Sequence, residues 1–238
     1  MKVEEQMKHL RLHGMTQTWQ AMQETRRHHE LTLSEGLEIL LQAENQEREN
    51  RRFERLKNAA HFRYQSSIAE LSFDKSRGLE KELITRLSSG EYIAKGETVI
   101  ITGATGCGKS YIATALGNHA CNQGYKVQYF NLQKLLIKTK MARQDGTIYK
   151  LMENIAKTNL LIIDDFGLTH LDGQHQLDLM EIMEDRHGKT ATIIASQLPV
   201  ASWFDIFGEA TIADAILDRL IHSSYRVELK GESLRKKK

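Results

Sequence analysis

The sequence predicts an α/β protein, a parallel sheet covered by helices on both faces, preceded by a small all-helical N-terminal domain. Three observations predict it. Strand-like runs recur from residue 98 onward, at TVIITG, YKVQYFN, NLLIIDDFG, TATIIASQ and SYRVELK, with helical stretches between them. VII in the first of these runs and LLII in the third are apolar at successive positions, as strands buried on both faces are. Residues 1–63 carry no such run and read as helix throughout.

Within the first domain, Thr32-Leu-Ser-Glu35 is a capping box opening a helix that runs through LEILLQAENQERENRRFERLKNAA. Leu37, Leu40 and Leu41 give it an apolar start. Charged residues then take over, so its later part lies on the surface or on a partner. Trp19 and Met22 are expected to pack this domain. FRYQSSIAELSF reads as a connector. The expected boundaries are 1–63 for the helical domain, 64–78 for the connector and 79–238 for the α/β domain. There a helix follows each of the first four strands, IATALGNHACNQG after the first and NLQKLLIKTKMARQDGTIYK after the second. Pro199 falls just past the fourth strand, where a chain leaves a sheet, with Trp203 and Phe204 expected to pack beyond it.

Composition sets limits on function. With 238 residues and 40% hydrophobic residues, the chain can build one α/β domain and a small appendage. A formal net charge of +2 carries no whole-molecule signal for nucleic acid, so any such site must come from local patterning. No apolar run approaches the length of a membrane span, and MKVEEQMKHL has acids where a signal peptide has an apolar core. A bacterial cytoplasmic location is expected, and Cys107 and Cys121 read as ordinary small residues in a reducing compartment. His9 and His13 stand one helical turn apart, but with His28 and His29 they lack the cysteine or acid of a metal site and read as surface residues.

Residues 103–110, GATGCGKS, form a complete G-x-x-x-x-G-K-[ST] phosphate-binding loop between a strand and a helix. Gly103, Gly106 and Gly108 let the backbone curl so that amide N–H groups, from Ala104 through Cys107 and on into Ser110 and Tyr111, point at phosphate oxygens. Lys109 reaches the outer phosphates and the Ser110 hydroxyl ligates Mg²⁺. ATP and Mg²⁺ are therefore the expected ligands. LLIIDD delivers two carboxylates to the sheet edge: Asp164 to hold the metal, and Asp165 to polarise the attacking water. Aspartate is one methylene shorter than the glutamate many such ATPases use, so slow turnover is expected. Ser196 and Gln197, at the end of the next strand, stand where a side chain contacts the γ-phosphate or the water. Arg219, on a short helix, and Arg235 are arginines for transition-state charge, with pairing to Asp214 or Asp218 as the alternative for Arg219.

GATGCGKS, LLIIDDFG, IIASQLPVASWF and AILDRLIHSSYRVELKGESLRKKK, with the N-terminal LRLHGM, together resemble the IstB family of transposition helper ATPases of insertion sequences. That family is a branch of the AAA+ initiator group that also contains the DnaC helicase loaders. The resemblance covers nearly the whole chain and implies a P-loop AAA+ core. It also implies an ATP-assembled homo-oligomer with ATP at subunit interfaces, which binds duplex DNA with little sequence preference and recruits or stimulates a partner transposase. By the same resemblance Lys109, Ser110, Asp164, Asp165 and Gln197 form one subunit's ATP site, Arg219 is a finger from the neighbour, and Arg235 is a candidate second sensor. One departure stands out: the chain after Arg219 is too short for a full helical lid.

Initiator relatives carry a DNA-contacting helix between the second and third strands. The resemblance thus points to Lys138, Lys140 and Arg143 as phosphate contacts, with Lys134 on the same stretch. Arg48, Arg51, Arg52 and Arg55 recur at i, i+3, i+4 and i+7, a second candidate DNA or partner face. Glu44, Glu47 and Glu49 lie within pairing distance of them. Two other functions use the same loop: a helicase loader acting on single-stranded DNA, and a small-molecule kinase.

Overall fold

The computed structural model describes residues 2–171, 173–222 and 224–234, in two compact units, Met1–Arg55 and Leu56–Lys238. The first holds α1 (Val3–His9), α2 (His13–Glu24) and α3 (Leu33–Ala60) as far as Arg55. The expected continuous helix is thus interrupted, at points where Arg11 and Arg26 adopt left-handed φ values of 58° and 56°. The capping box closes α3: Thr32 N–H donates to Glu35 Oε2 at 2.8 Å and Glu35 N–H to Thr32 Oγ1 at 3.3 Å. Met7, Met15, Met22 and Leu40 are buried together with Trp19 against them. Gly14 lets α2 lie directly on α3, since a Cβ there would overlap the Ala43 carbonyl oxygen. The buried Glu44 carboxylate accepts from the N–H groups of Gly14 at 2.9 Å and Met15 at 3.3 Å, at the positive end of α2.

The second unit begins with short 3₁₀ turns at Ile68–Glu70 and Lys75–Arg77, then α4 (Lys81–Ser88) and α5 (Glu91–Ala94). The alternating pattern follows: β1 (Thr98–Gly103), α6 (Lys109–Asn122), β2 (Val127–Asn131), α7 (Leu132–Gln144) and α8 (Ile148–Ala156). It continues with β3 (Leu160–Phe166), α9 (Gly173–Arg186), β4 (Ala191–Ser196), α10 (Ala210–Ile221) and β5 (Ser224–Leu229). Among the described residues the five strands are parallel, in the order β2-β3-β4-β1-β5. Alternation along the strands covers both faces. Ile100, Leu161, Ile163 and Ile194 join a core with α7, α8, α9 and α10, whereas Ile162 faces α6.

The stretch after β2, expected as one helical run, is two helices, because α7 stops before Gly146, whose φ is 69°. Trp203 is fully buried, its ring tilted 50° against Phe166 at 4.6 Å between centroids, but Phe204, expected to pack beside it, is exposed. Arg186 is buried in the body of the unit. It donates to the carbonyls of Ile155 at 2.6 Å and Thr158 at 2.8 Å and to that of Ala191, joining the end of α8 to the starts of β3 and β4. Burial lowers its pKa to about 9. No described helix is long and apolar enough to cross a membrane.

Candidate nucleotide-binding site

The strand order decides what meets at the sheet edge. β1, β4 and β3 lie side by side, so the phosphate loop, Ser196-Gln197 and the two acids end on neighbouring strands, each step about 5 Å. Gln197 stands between the other two. Thr105 Oγ1 donates to Gln197 Oε1 at 2.6 Å, tying the loop to the end of β4. Ser196 is turned inward instead, donating to the Phe166 carbonyl at 2.7 Å, which removes it from the expected phosphate contacts. Lys109 is buried and donates to the Ala104 carbonyl across the loop at 2.8 Å, and Ser110 follows it at the start of α6. Cys107 lies buried inside the loop, and burial pushes the Cys121 thiol up to about 12, which keeps it protonated.

Asp164 is buried at the end of β3, where the Tyr129 hydroxyl donates to Oδ2 and the Asp165 N–H to Oδ1 at 2.8 Å. Burial and that hydrogen bond push the Tyr129 phenol far above its ordinary value, so it stays a donor. Asp165 has a φ of 57°, at the point where the pairing of β3 with β4 slips between Ile163 and Phe166. The left-handed turn swings its side chain out of the strand's alternation, a conformation aspartate tolerates better than most residues. Its Oδ2 accepts from Asn131 Nδ2 at 2.7 Å and from Arg63 Nη1 at 3.3 Å. Burial opposes the Arg63 charge, but Tyr64, Tyr129, Asp165 and Asp164 outweigh it and raise its pKa. Asn131 also caps α7, its Oδ1 accepting from Lys134 N–H at 3.4 Å.

Sequence reasoning missed Arg63, Tyr129 and Asn131. For the two strand residues a signal existed: aligning VQYFN with LLIID sets Asn131 opposite Asp164. Arg63 had none, being 102 residues from its partner. A cavity of about 410 Å³ opens beside the loop, walled by Leu71, Leu79, Ile112, Leu229 and Leu234, with Arg77, Glu70 and Asp74 also lining it. It is mainly apolar, and the connector supplies one side of it.

The remaining predicted residues are placed as follows. Arg219 donates to Glu184 on α9 at 2.7 Å and to the Ala215 carbonyl, so its partner is neither Asp214 nor Asp218. Arg235 lies outside the described residues. Lys138 and Lys140 are exposed on α7 but about 200° apart around its axis, so they do not share one side as expected. Arg143, exposed like the lysines, is nonetheless held by the buried Asp178, with Nε 2.9 Å from Oδ1. Burial alone would raise the Asp178 carboxyl; hydrogen bonds from Arg143, Thr139 and Gln174 hold it below the ordinary value. A groove of about 720 Å³ between α7 and α8 is lined by Lys138, Lys150 and Lys157 together with Asp145 and Glu153, the last paired with Lys157. On α3, Arg48 and Arg51 pair with Glu44, and Arg51 also with Glu47; Arg48, Arg51, Arg52 and Arg55 are all exposed.

The comparisons agree with this geometry. The chain is similar to an insertion sequence ATP-binding protein of Sinorhizobium fredii, 38% identical over 225 residues, covering 94% of this chain and 92% of the relative. The insertion sequence IS1162 ATP-binding protein of Pseudomonas fluorescens is 38% identical over 196 residues, covering 82% and 84%. Among solved structures, the DnaC helicase loader superposes with a TM-score of 0.58 at 17% identity, covering 74% of this chain and 99% of that one. DnaA bound to AMPPCP and single-stranded DNA gives 0.61 at 17%, covering 72% and 52%. At that identity the likeness carries the fold alone, a P-loop AAA+ core. The family model described as IstB-like ATP binding protein matches residues 5–238, and the chain belongs to that family.

Proposed function

We propose that this protein is an ATP-dependent DNA-binding helper ATPase of transposition. It assembles as an oligomer on duplex DNA, recruits or stimulates a partner transposase, and is reset by ATP hydrolysis. The observation that carries the reading is the placing of the phosphate loop, Gln197 and Asp165 at the ends of the adjoining strands β1, β4 and β3, in a chain whose relatives are named for insertion sequences and ATP.

The base of ATP fits the apolar cavity beside the loop, and the loop's amides and Lys109 take the phosphates. Lys109 must exchange the Ala104 carbonyl for phosphate oxygen, so it neutralises charge without a new ordering cost. Asp165, aimed by Asn131, accepts the proton of the attacking water, and Gln197 orients that water beside Thr105. Ser110 and Asp164 offer the hard oxygen donors that Mg²⁺ requires. No group of three or more His, Cys, Asp or Glu among the described residues is arranged to hold a metal by itself, so the ion would share phosphate oxygens. When bound, the ion neutralises developing charge on those oxygens.

The test is binding of a labelled random duplex and a matched single strand in ATP, in ADP and without nucleotide, across a salt series. ATP-dependent duplex binding that weakens steeply with salt, and is lost in Lys109→Ala, is the expected result. A single-strand preference would instead indicate a helicase loader.

A further inference from the structure

The phosphate loop is gripped from outside as well as from within. Its amides can face an anion only if its carbonyls face away, and each outward carbonyl then needs a donor. Lys109 serves Ala104. The Gly106 carbonyl accepts from the Leu234 N–H at 3.0 Å, and the Cys107 carbonyl from Arg77 Nη2 at 2.6 Å. The same arginine's carbonyl accepts from Lys230 N–H at 2.8 Å. Connector, β5 exit and loop therefore close into one hydrogen-bonded circuit. The packing is equally close: a Cβ on Gly103 would lie 2.5 Å from the Leu229 carbonyl oxygen, and one on Gly106 would overlap Ser233 Oγ. Both glycines also have positive φ, 147° and 81°.

We infer that residues 229–234, pinned by Arg77, form a strap across the phosphate loop that sets nucleotide affinity, with Arg77 as a positioning residue acting through the Cys107 carbonyl. When Lys109 leaves Ala104 for a phosphate, Arg77 and Leu234 still hold the loop's curl, so little reorganisation accompanies binding. Leu234 and Arg77 also line the base cavity, so an occupied cavity holds the strap down at both of its attachments. The inference rests on the proposed ATP site.

The full chain would be studied with a fluorescent N-methylanthraniloyl ATP, by equilibrium titration and by trypsin cleavage after Lys230 followed by intact mass. Wild type is expected to bind the probe and to be cleaved more slowly at Lys230 when it is bound. Arg77→Ala should bind about tenfold more weakly, with Arg77→Lys partly restored, while its melting temperature without nucleotide stays within about 2 °C of wild type. Equal affinity in Arg77→Ala, or cleavage at Lys230 that ignores the nucleotide, would overturn the strap and leave the ATP site standing. A wild-type chain that does not bind the probe would overturn both.

Discussion

Asp165 carries two burdens at once, a left-handed backbone and a carboxylate shared between Asn131 and Arg63. Asp165→Asn keeps size and a hydrogen-bond acceptor but removes the carboxylate proposed as the base, so ATP binding should persist while phosphate release falls at least about 100-fold, measured by a coupled assay. Arg186 is a structural counterpart with no place in the chemistry. Arg186→Ala would leave the carbonyls of Ile155, Thr158 and Ala191 without their donor and lower stability by about 3 kcal/mol, or roughly 10 °C in melting temperature by circular dichroism. The phosphate loop was readable because its residues are contiguous and its chemistry is local. Arg63, Arg77 and Leu234 were not, because what places them on the loop and the acids is the folding of distant segments, 102 residues apart for Arg63 and Asp165.

At the scale of elements, the strands were legible and the helix faces were not. Uninterrupted apolar runs mark buried parallel strands wherever they occur, but a helix of mixed charge reveals its inward side only once its neighbours are known. Helix α7 shows this. Its lysines and Arg143 looked alike in sequence, yet Arg143 is committed to Asp178 on α9 and Lys138 borders the open groove. Lys138→Glu should therefore weaken duplex binding and reduce its salt dependence, with melting temperature unchanged. Arg143→Ala should cost about 2 kcal/mol of stability instead. Because Asp178 titrates below its ordinary value, its stabilising effect is present above about pH 3.9 and fades as pH falls through the depressed value. Losing Arg143 should move acid unfolding to higher pH, followed by tryptophan fluorescence.

For the whole molecule the open matter is whether a site is completed by a second copy. Arg219 is tied to Glu184 within its own subunit, an exposed pair that a neighbour's phosphate can outcompete. If it acts in trans, Arg219→Ala and Lys109→Ala proteins should each be inactive alone. Mixed in equal amounts they should recover about a quarter of wild-type hydrolysis, the share of interfaces with both intact residues. No recovery at any ratio would confine Arg219 to its pairing with Glu184. The close passage of the β5 exit over the loop has a genetic consequence. Gly78, whose Cβ would overlap the Glu228 carbonyl oxygen, joins Gly103 and Gly106 beneath one short stretch of backbone. In a library of single alanine replacements scored for transposition, these three sites should drop out together and draw the route of that stretch. Gly173, where an added methyl meets nothing, should pass unnoticed.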